Sequence, residues 1–320
     1  MKDLLIFSYS GDAHVQAVRS HLDIIGAKYS LFNTNEIPKA HYITFSSKSM
    51  DFIVYNKQCK GEFAVDGSWN IWNRRILKLD FGDPIPDGLA KVIDTETRKT
   101  LEGLMFSHSG KVINDPRANY KAQNKLDQLK VAKDLGKDVI VPPTIVSNNP
   151  REIRQFYEEN DGRVCFKLQK GEIIDLEGKK FTVMTNLVRE EHLRDTELLE
   201  QCPHLFQKYF SKEYEVRVTT IGDKSIGTAI HSQESEVSKI DYRRYDFNVP
   251  YKNINLPENV AEFCRAMLNH YGLDFGAFDF IVSKDGQYIF LELNPNGQWL
   301  WLEQLSGFKI SEVLAEYLVS

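Results

Sequence analysis

The chain has 320 residues, enough for two or three α/β subdomains with a core each. Its 42% hydrophobic content is ordinary for a globular protein, and a net charge of −5 gives no electrostatic reason to expect nucleic acid. The start Met1-Lys-Asp-Leu-Leu-Ile-Phe lacks a signal-peptide h-region and no later run could span a bilayer, while Cys59, Cys165, Cys202 and Cys264 lack metal-type spacing; a cytoplasmic protein with reduced thiols and no membrane partner is expected.

In chain order, Leu4 to Tyr9 reads as a buried strand, and Asp12 as the cap of a helix with Val15, Val18, Leu22 and Ile25 as its stripe and Gly26 as its stop. Tyr29 to Phe32 returns as a strand, the β-α-β opening of a doubly wound domain. Phe52–Tyr55 and Phe63–Val65 suggest a hairpin, Trp69 to Asn73 a strand running into Arg74 and Arg75, and Gly88 to Met105 a helix. Asn114-Asp-Pro116 breaks the chain, and one long amphipathic helix is expected through Lys125, Leu126, Leu129 and Ala132 to Gly136. Pro150 opens a further helix. Arg163 to Lys167 and Phe181 to Val188 read as paired strands, with Gly171 to Gly178 as a loop or flap. Leu193 to Leu199 is expected to be helical, and His204 to Tyr209 to resume the sheet. Tyr214 to Thr220 pairs with Ser225 to Ile230, and helices cover Pro257 to Tyr271 and Ile310 to Val319. The fold class is α/β (α+β), with boundaries giving segments 1–113, 114–202 and 203–320.

The chemistry concentrates in Gly276 to Gly297. Asp285-Gly286 suggests a two-residue type I′ turn between two strands, which places Asp279 opposite Glu292. Facing carboxylates repel, and a divalent cation between them removes that cost, with Asn294 on the face of Glu292. Oxygen donors without a histidine cluster suit magnesium better than zinc. Upstream, Glu213, Glu215 and Arg217 alternate with Tyr214, Val216 and Val218, giving a strand with one charged face. Lys167 interrupts an apolar strand, where its ammonium needs an anion or an escape to solvent. Asp241-Tyr-Arg243-Arg244 supplies guanidinium groups able to clamp a carboxylate or phosphate.

A lysine on a helix, a lysine on a strand, a charged strand with arginine, and Asp279…Glu292-x-Asn294 follow one another in the order of the ATP-grasp ligases, which the chain resembles. Trp72-Asn-Arg-Arg75, Val141 to Pro150, Glu215-Val-Arg217 and Phe290 to Trp299 with Trp301-Leu-Glu303 bring it closest to the microviridin-type branch, which makes graspetides, peptides cyclised by ω-esters or ω-amides. The resemblance implies an N-terminal pre-ATP-grasp domain and two subdomains clasping ATP. It implies ATP-phosphate contacts from Lys125 and Lys167, and an adenine hinge at Gln207-Lys208-Tyr209. Glu213 or Glu215 is expected at the ribose, and spacing does not choose between them. Asp279, Glu292 and Asn294 are expected to hold Mg²⁺, and Arg217 and Arg243 to contact the γ-phosphate and the reacting carboxylate.

The implied reaction is an ADP-forming ligation through an acyl phosphate, joining Asp or Glu side chains of a ribosomally made precursor peptide to Ser/Thr hydroxyls. Lysine amides, or addition of a free amino acid as in ribosomal-protein glutamate ligases, are the alternatives. Glu190, Glu191 and Asp195 fall where this branch contacts a helical leader, His192 interrupting the acidic run, and Arg74 is a further peptide-side candidate. The family also implies a homodimer.

Overall fold

The computed structural model describes residues 1–320 apart from 38, 58–59, 172, 177–178 and 245–248. The first third contains β1 (Asp3–Ser8), α1 (Ala13–Ile24), β2 (Tyr29–Asn33), β3 (His41–Ser46), β4 (Asp51–Asn56), β5 (Gly61–Val65), β6 (Trp69–Asn73), α2 (Asp87–Ser107) and β7 (Val112–Ile113). The middle holds α3 (Pro116–Ala122), α4 (Lys125–Leu135), β8 (Thr144–Ser147), α5 (Pro150–Glu159), β9 (Val164–Lys167), β10 (Ile173–Leu176), β11 (Lys179–Thr182), β12 (Asn186–Leu187), α6 (Thr196–Glu200) and β13 (His204–Lys208). The rest is β14 (Tyr214–Ile221), β15 (Lys224–Ile230), β16 (Tyr251–Ile254), α7 (Glu258–Tyr271), β17 (Phe275–Val282), β18 (Tyr288–Asn294), α8 (Leu300–Ser306) and α9 (Ile310–Leu318).

The opening β-α-β unit forms as its pattern requires. Asp12 Oδ1 accepts from the amide of His14 at 3.0 Å, and Val15, Val18 and Leu22 turn inward. The sheet is parallel, in the order β2-β1-β6-β7. Its outer face is covered by the chain's far end: Leu4, Ile6, Val15 and Val18 share one core with Trp299, Ile310 and Leu314. Asn114 ties the same parts together, its amide donating to the carbonyls of Phe275 at 2.8 Å and Pro295 at 2.9 Å.

The expected single helix through Lys125 is two helices. Asn124 Oδ1 accepts from the amides of Leu126 and Asp127, a cap inside the apolar run that makes Lys125 the first residue of α4. The expected strand Phe181 to Val188 also divides: β11 pairs with β10 in a hairpin of its own, and β12 pairs with β9. The flap Gly171 to Gly178 thus contains β10, although residues 172, 177 and 178, like Cys59, lie outside the described set. β3 extends the expected β4–β5 hairpin to three strands.

Two antiparallel sheets frame the site, one ordered β12-β9-β13-β8 and the other β16-β15-β14-β17-β18. The apolar face of the second, opposite its charged one, rests on α4 and α7 through Val131, Ala132, Phe263, Met267, Phe278 and Phe290. No helix among the described residues is long and apolar enough to cross a membrane.

Candidate active site

Asp279 and Glu292 do stand opposite each other, by a different route from the one expected. The amide of Ser283 donates to Gln287 O and that of Gly286 to Ser283 O, closing a loop over Lys284, Asp285 and Gly286, the glycine at φ +76°. That is a type I turn with a left-handed third residue, not a two-residue I′ loop. The register near the loop pairs Phe280 with Phe290, one short of the expected count. A bulge at Leu291 restores it, so Asp279 meets Glu292 and Ala277 meets Asn294.

The acids open onto a cleft between the two antiparallel sheets, with a cavity volume of about 100 Å³. Lys125, Lys167, Glu215, Arg243, Asp279 and Glu292 all line it, as do Gln207, Lys208 and Tyr209 of the expected hinge. Within the protein the two carboxylates already have counter-ions. Arg217 Nη1 lies 2.6 Å from Asp279 Oδ2, and Lys125 Nζ lies 2.8 Å from Glu292 Oε2. A bound cation is therefore not the sole means of relieving their repulsion, as the sequence reading held. Burial pushes the Asp279 carboxyl up against the pull of Arg217. At Glu292 burial acts the same way, but Lys125 and then Arg243 outweigh it and bring the group down to about 2.

Asn294 stands beside Glu292, its Nδ2 donating to Glu292 Oε1 at 3.3 Å. Two carboxylates and a carboxamide on one strand pair are hard oxygen donors of the kind magnesium takes, so these residues fit the ion. Arg217 is buried behind Asp279 with its Nε unpartnered among the described residues, and neither it nor Asn294 is among the residues that line the cleft.

Lys167 Nζ donates to Gln207 Oε1 at 2.6 Å, and Gln207 Nε2 donates to Thr144 Oγ1 at 3.0 Å. Burial pushes the Lys167 ammonium below its ordinary range. The amides of Lys208 and Tyr209 donate to Pro143 O and Arg163 O, so they are committed inside the protein. Of the two ribose candidates, Glu213 is exposed and off the cleft, while Glu215 lines it. Glu215 is held by Lys212 Nζ at 2.5 Å and by the hydroxyl of Ser232.

Sequence reasoning missed Lys212, whose significance lies in a buried contact, and Tyr242, whose hydroxyl donates to Asp279 Oδ1 at 3.1 Å. Tyr242 and Arg243 share one short 3-10 turn, Tyr242–Arg244, so a single element delivers both to the acids. Arg243 Nη1 is 4.0 Å from Glu292 Oε1.

The peptide-side candidates lie elsewhere. Glu190 and Glu191 are exposed, Glu191 pairing with Arg189 at 3.1 Å, and Asp195 caps α6 by accepting from Leu198 N. Arg74 is buried in the N-terminal part, its Nε 3.4 Å from Asp12 Oδ2 and its guanidinium over the Trp299 ring.

No protein-family model matches the chain. Among solved structures it is similar to the macrocyclase MdnC from Microcystis aeruginosa MRC bound with precursor peptide MdnA, at 28% identity and a TM-score of 0.86 over 99% of both chains. A Chryseobacterium gregarium RiPP-associated ATP-grasp ligase, in complex with ADP and a leader and core peptide, matches at 28% identity and a TM-score of 0.89. That match covers 99% of this chain and 96% of the other. Human N-acetylaspartylglutamate synthase A is 24% identical over 124 residues, 37% of this chain and 30% of its own length. The match thus spans less than a third of that curated relative.

Proposed function

We propose that this chain, an ATP-grasp ligase of the graspetide-forming type, uses ATP to activate Asp or Glu side chains of a ribosomally made precursor peptide and closes them onto Ser or Thr hydroxyls as ω-esters. One observation carries the reading: Lys125, Lys167, Arg243, Asp279 and Glu292 converge on a single cleft in a fold shared end to end with peptide-bound ligases.

In this reading Lys125 and Lys167 receive the ATP phosphates. Asp279, Glu292 and Asn294 would hold Mg²⁺, which when bound neutralises charge on the phosphate oxygens. Glu215, not Glu213, faces the ribose, and the base lies along Gln207–Tyr209 through groups other than the two committed amides. Arg217 holds the γ-phosphate and Arg243 the peptide carboxylate, in line with one another. A carboxylate oxygen takes the γ-phosphoryl group and ADP leaves. The hydroxyl oxygen then attacks the acyl carbon, its proton is lost and phosphate departs. Positioning and charge neutralisation are the work such a transfer needs. A water-poor cleft protects the acyl phosphate.

Glu190, Glu191 and Asp195 on the central segment 114–202 are assigned to the peptide leader. Arg74, packed on the Trp299 ring, is assigned to the peptide side through the loop that Trp299 ends. A homodimer and a cytoplasmic location belong to the same proposal; light scattering on the purified chain tests the first.

The test is to sequence the open reading frames beside the gene for a short Thr/Ser/Asp/Glu-rich peptide and to incubate that peptide with the purified chain, ATP and Mg²⁺. The expected product has lost one water per ring, with one ADP released per ring, and mild base reopens it. Rings that resist base identify lysine amides. The partial match to an N-acetylaspartylglutamate synthase favours addition of a free amino acid as a second reading; there the product gains mass.

A further inference from the structure

The arginine that this reading sets against the reacting carboxylate is only partly buried, its side chain 41% exposed. An arginine so exposed would ordinarily sample many rotamers. This one is held by Asp241, two residues earlier. Asp241 Oδ1 accepts from the Arg243 amide at 3.1 Å and from Nε at 2.9 Å, while Oδ2 accepts from Nη2 at 2.7 Å. A two-pronged carboxylate–guanidinium contact fixes the plane of the fork as well as its position.

The same carboxylate crosses the cleft. Its Oδ2 also accepts from the backbone amide of Thr185, at 3.0 Å, beside β12 of the opposite sheet. Arg244 adds to this contact, its Nη2 donating to Thr185 O at 3.3 Å and to Asn186 Oδ1 at 3.0 Å. On the near side, Lys212 Nζ donates to the carbonyl of Ile240 at 3.0 Å, tying the turn to the start of β14. Asp241 is buried, and its two oxygens already carry four hydrogen bonds. It is therefore not disposed to bind substrate or metal itself.

We infer that Asp241 is a positioning residue that makes the placement of Arg243 depend on Thr185, so that contact between the two walls of the cleft and orientation of the carboxylate-binding arginine are one event. The inference rests on the reading that Arg243 faces the reacting carboxylate. An open cleft leaves Arg243 unaimed, and ATP is not spent on water before the walls meet.

The test measures ring closure of the precursor peptide by the wild type, Asp241→Asn, Arg243→Ala and the double variant, each first shown to bind ADP. Arg243→Ala is expected to slow closure about 100-fold or more. Asp241→Asn should slow it about 10- to 100-fold in kcat with little change in the KM for ATP. The double variant should be no slower than Arg243→Ala, because Asp241 has nothing left to aim. Added guanidinium should partly rescue Arg243→Ala and fail to rescue the double variant.

Losses that multiply, or equal rescue of both, overturn the role of Asp241 while leaving Arg243 in place. A wild-type rate for Arg243→Ala, or a peptide the wild type does not convert, overturns the reading of Arg243 and the inference with it. If Asp241→Asn fails to bind ADP, Asp241→Glu takes its place: the charge stays, the fork is displaced, and the same non-additivity is expected.

Discussion

Arg217 and Asp279 are register partners on β14 and β17, and the guanidinium Nη1 lies 2.6 Å from the carboxylate Oδ2. With Lys125 on Glu292, each of the two facing acids has a cation of its own. A cation entering between Asp279 and Glu292 competes with both of these partners, and each oxygen it takes leaves Arg217 or Lys125 freer to meet an anion. In the proposed reading, nucleotide and metal would exchange partners with these two pairs, without leaving Arg217 or Asp279 as a bare buried charge.

Asp279→Ala should show this pairing in stability as well as in turnover. It leaves Arg217 buried without its carboxylate, which costs about 3–5 kcal/mol in comparable buried pairs. Asp279→Asn keeps the shape and one acceptor and should cost less, while both variants lose magnesium-dependent ATP turnover. Replacing both partners, Arg217→Met with Asp279→Leu, should recover much of the stability and none of the turnover. Chemical denaturation beside an ADP-release assay reads both; a double variant no more stable than Asp279→Ala would contradict the pairing argument.

Lys167 calls for effects of opposite sign. Its hydrogen bond goes to the neutral amide of Gln207, so that bond does not neutralise the half-buried ammonium. Lys167→Met should therefore leave stability unchanged or raise it, since an apolar chain of similar length removes a desolvated charge. ATP affinity should fall about 10- to 100-fold, the worth of a charge-assisted hydrogen bond of about 1.5–3 kcal/mol. Calorimetric titration with ATP and a thermal melt of the same sample separate the two effects.

Glu292 and Asn294 were legible as a pair because alternation along one strand puts them on one face whichever turn precedes them. Asp279 joins that face only because the longer loop and the bulge at Leu291 cancel, since a one-residue slip alone would have turned it away. Lys167 stood out by interrupting an apolar strand, Lys125 only through order along the chain. What was not legible depends on contacts between distant segments. The cap at Asn124 divides a helix whose apolar spacing runs straight through it. Lys212 looks like any surface lysine until Glu215 and Ile240 O surround it. Thr185 gave no signal of its own; its amide, hydroxyl and carbonyl matter only because Asp241, Arg243 and Arg244 reach them from the other wall.

His41 provides a pH dependence away from the site. It is buried against Phe32, ring centroids 4.2 Å apart, and its two ring nitrogens lack hydrogen-bond partners among the described residues. Burial, and then Lys57, lower its pKa from 6.5 to about 4. The unfolded chain binds the proton more readily, so stability rises with pH between these values. The contribution is fully present above pH 6.5 and is lost as pH falls toward 4, by up to about 3 kcal/mol. His41→Leu should flatten the pH dependence of the melting temperature over this window; an unchanged slope would reject the assignment.

Gly297 sets how closely the loop after β18 can approach Arg217. A Cβ there would lie 2.4 Å from the Ala277 Cβ and 2.8 Å from Arg217 Nη2, nearer than such atoms can stand. Gly297→Ala must therefore displace the loop, β17 or the guanidinium, at about 1–3 kcal/mol for an overpacked site. The two clashes can be separated. Adding Ala277→Gly removes the first and should return part of the stability, leaving the methyl group against Arg217. If Arg217 holds the γ-phosphate, the double variant should still turn over slowly with a raised KM for ATP, while its affinity for ADP, which lacks that group, stays near that of the wild type. Full recovery of turnover with recovered stability would mean that Gly297 serves packing alone, and that the position of Arg217 tolerates the displacement.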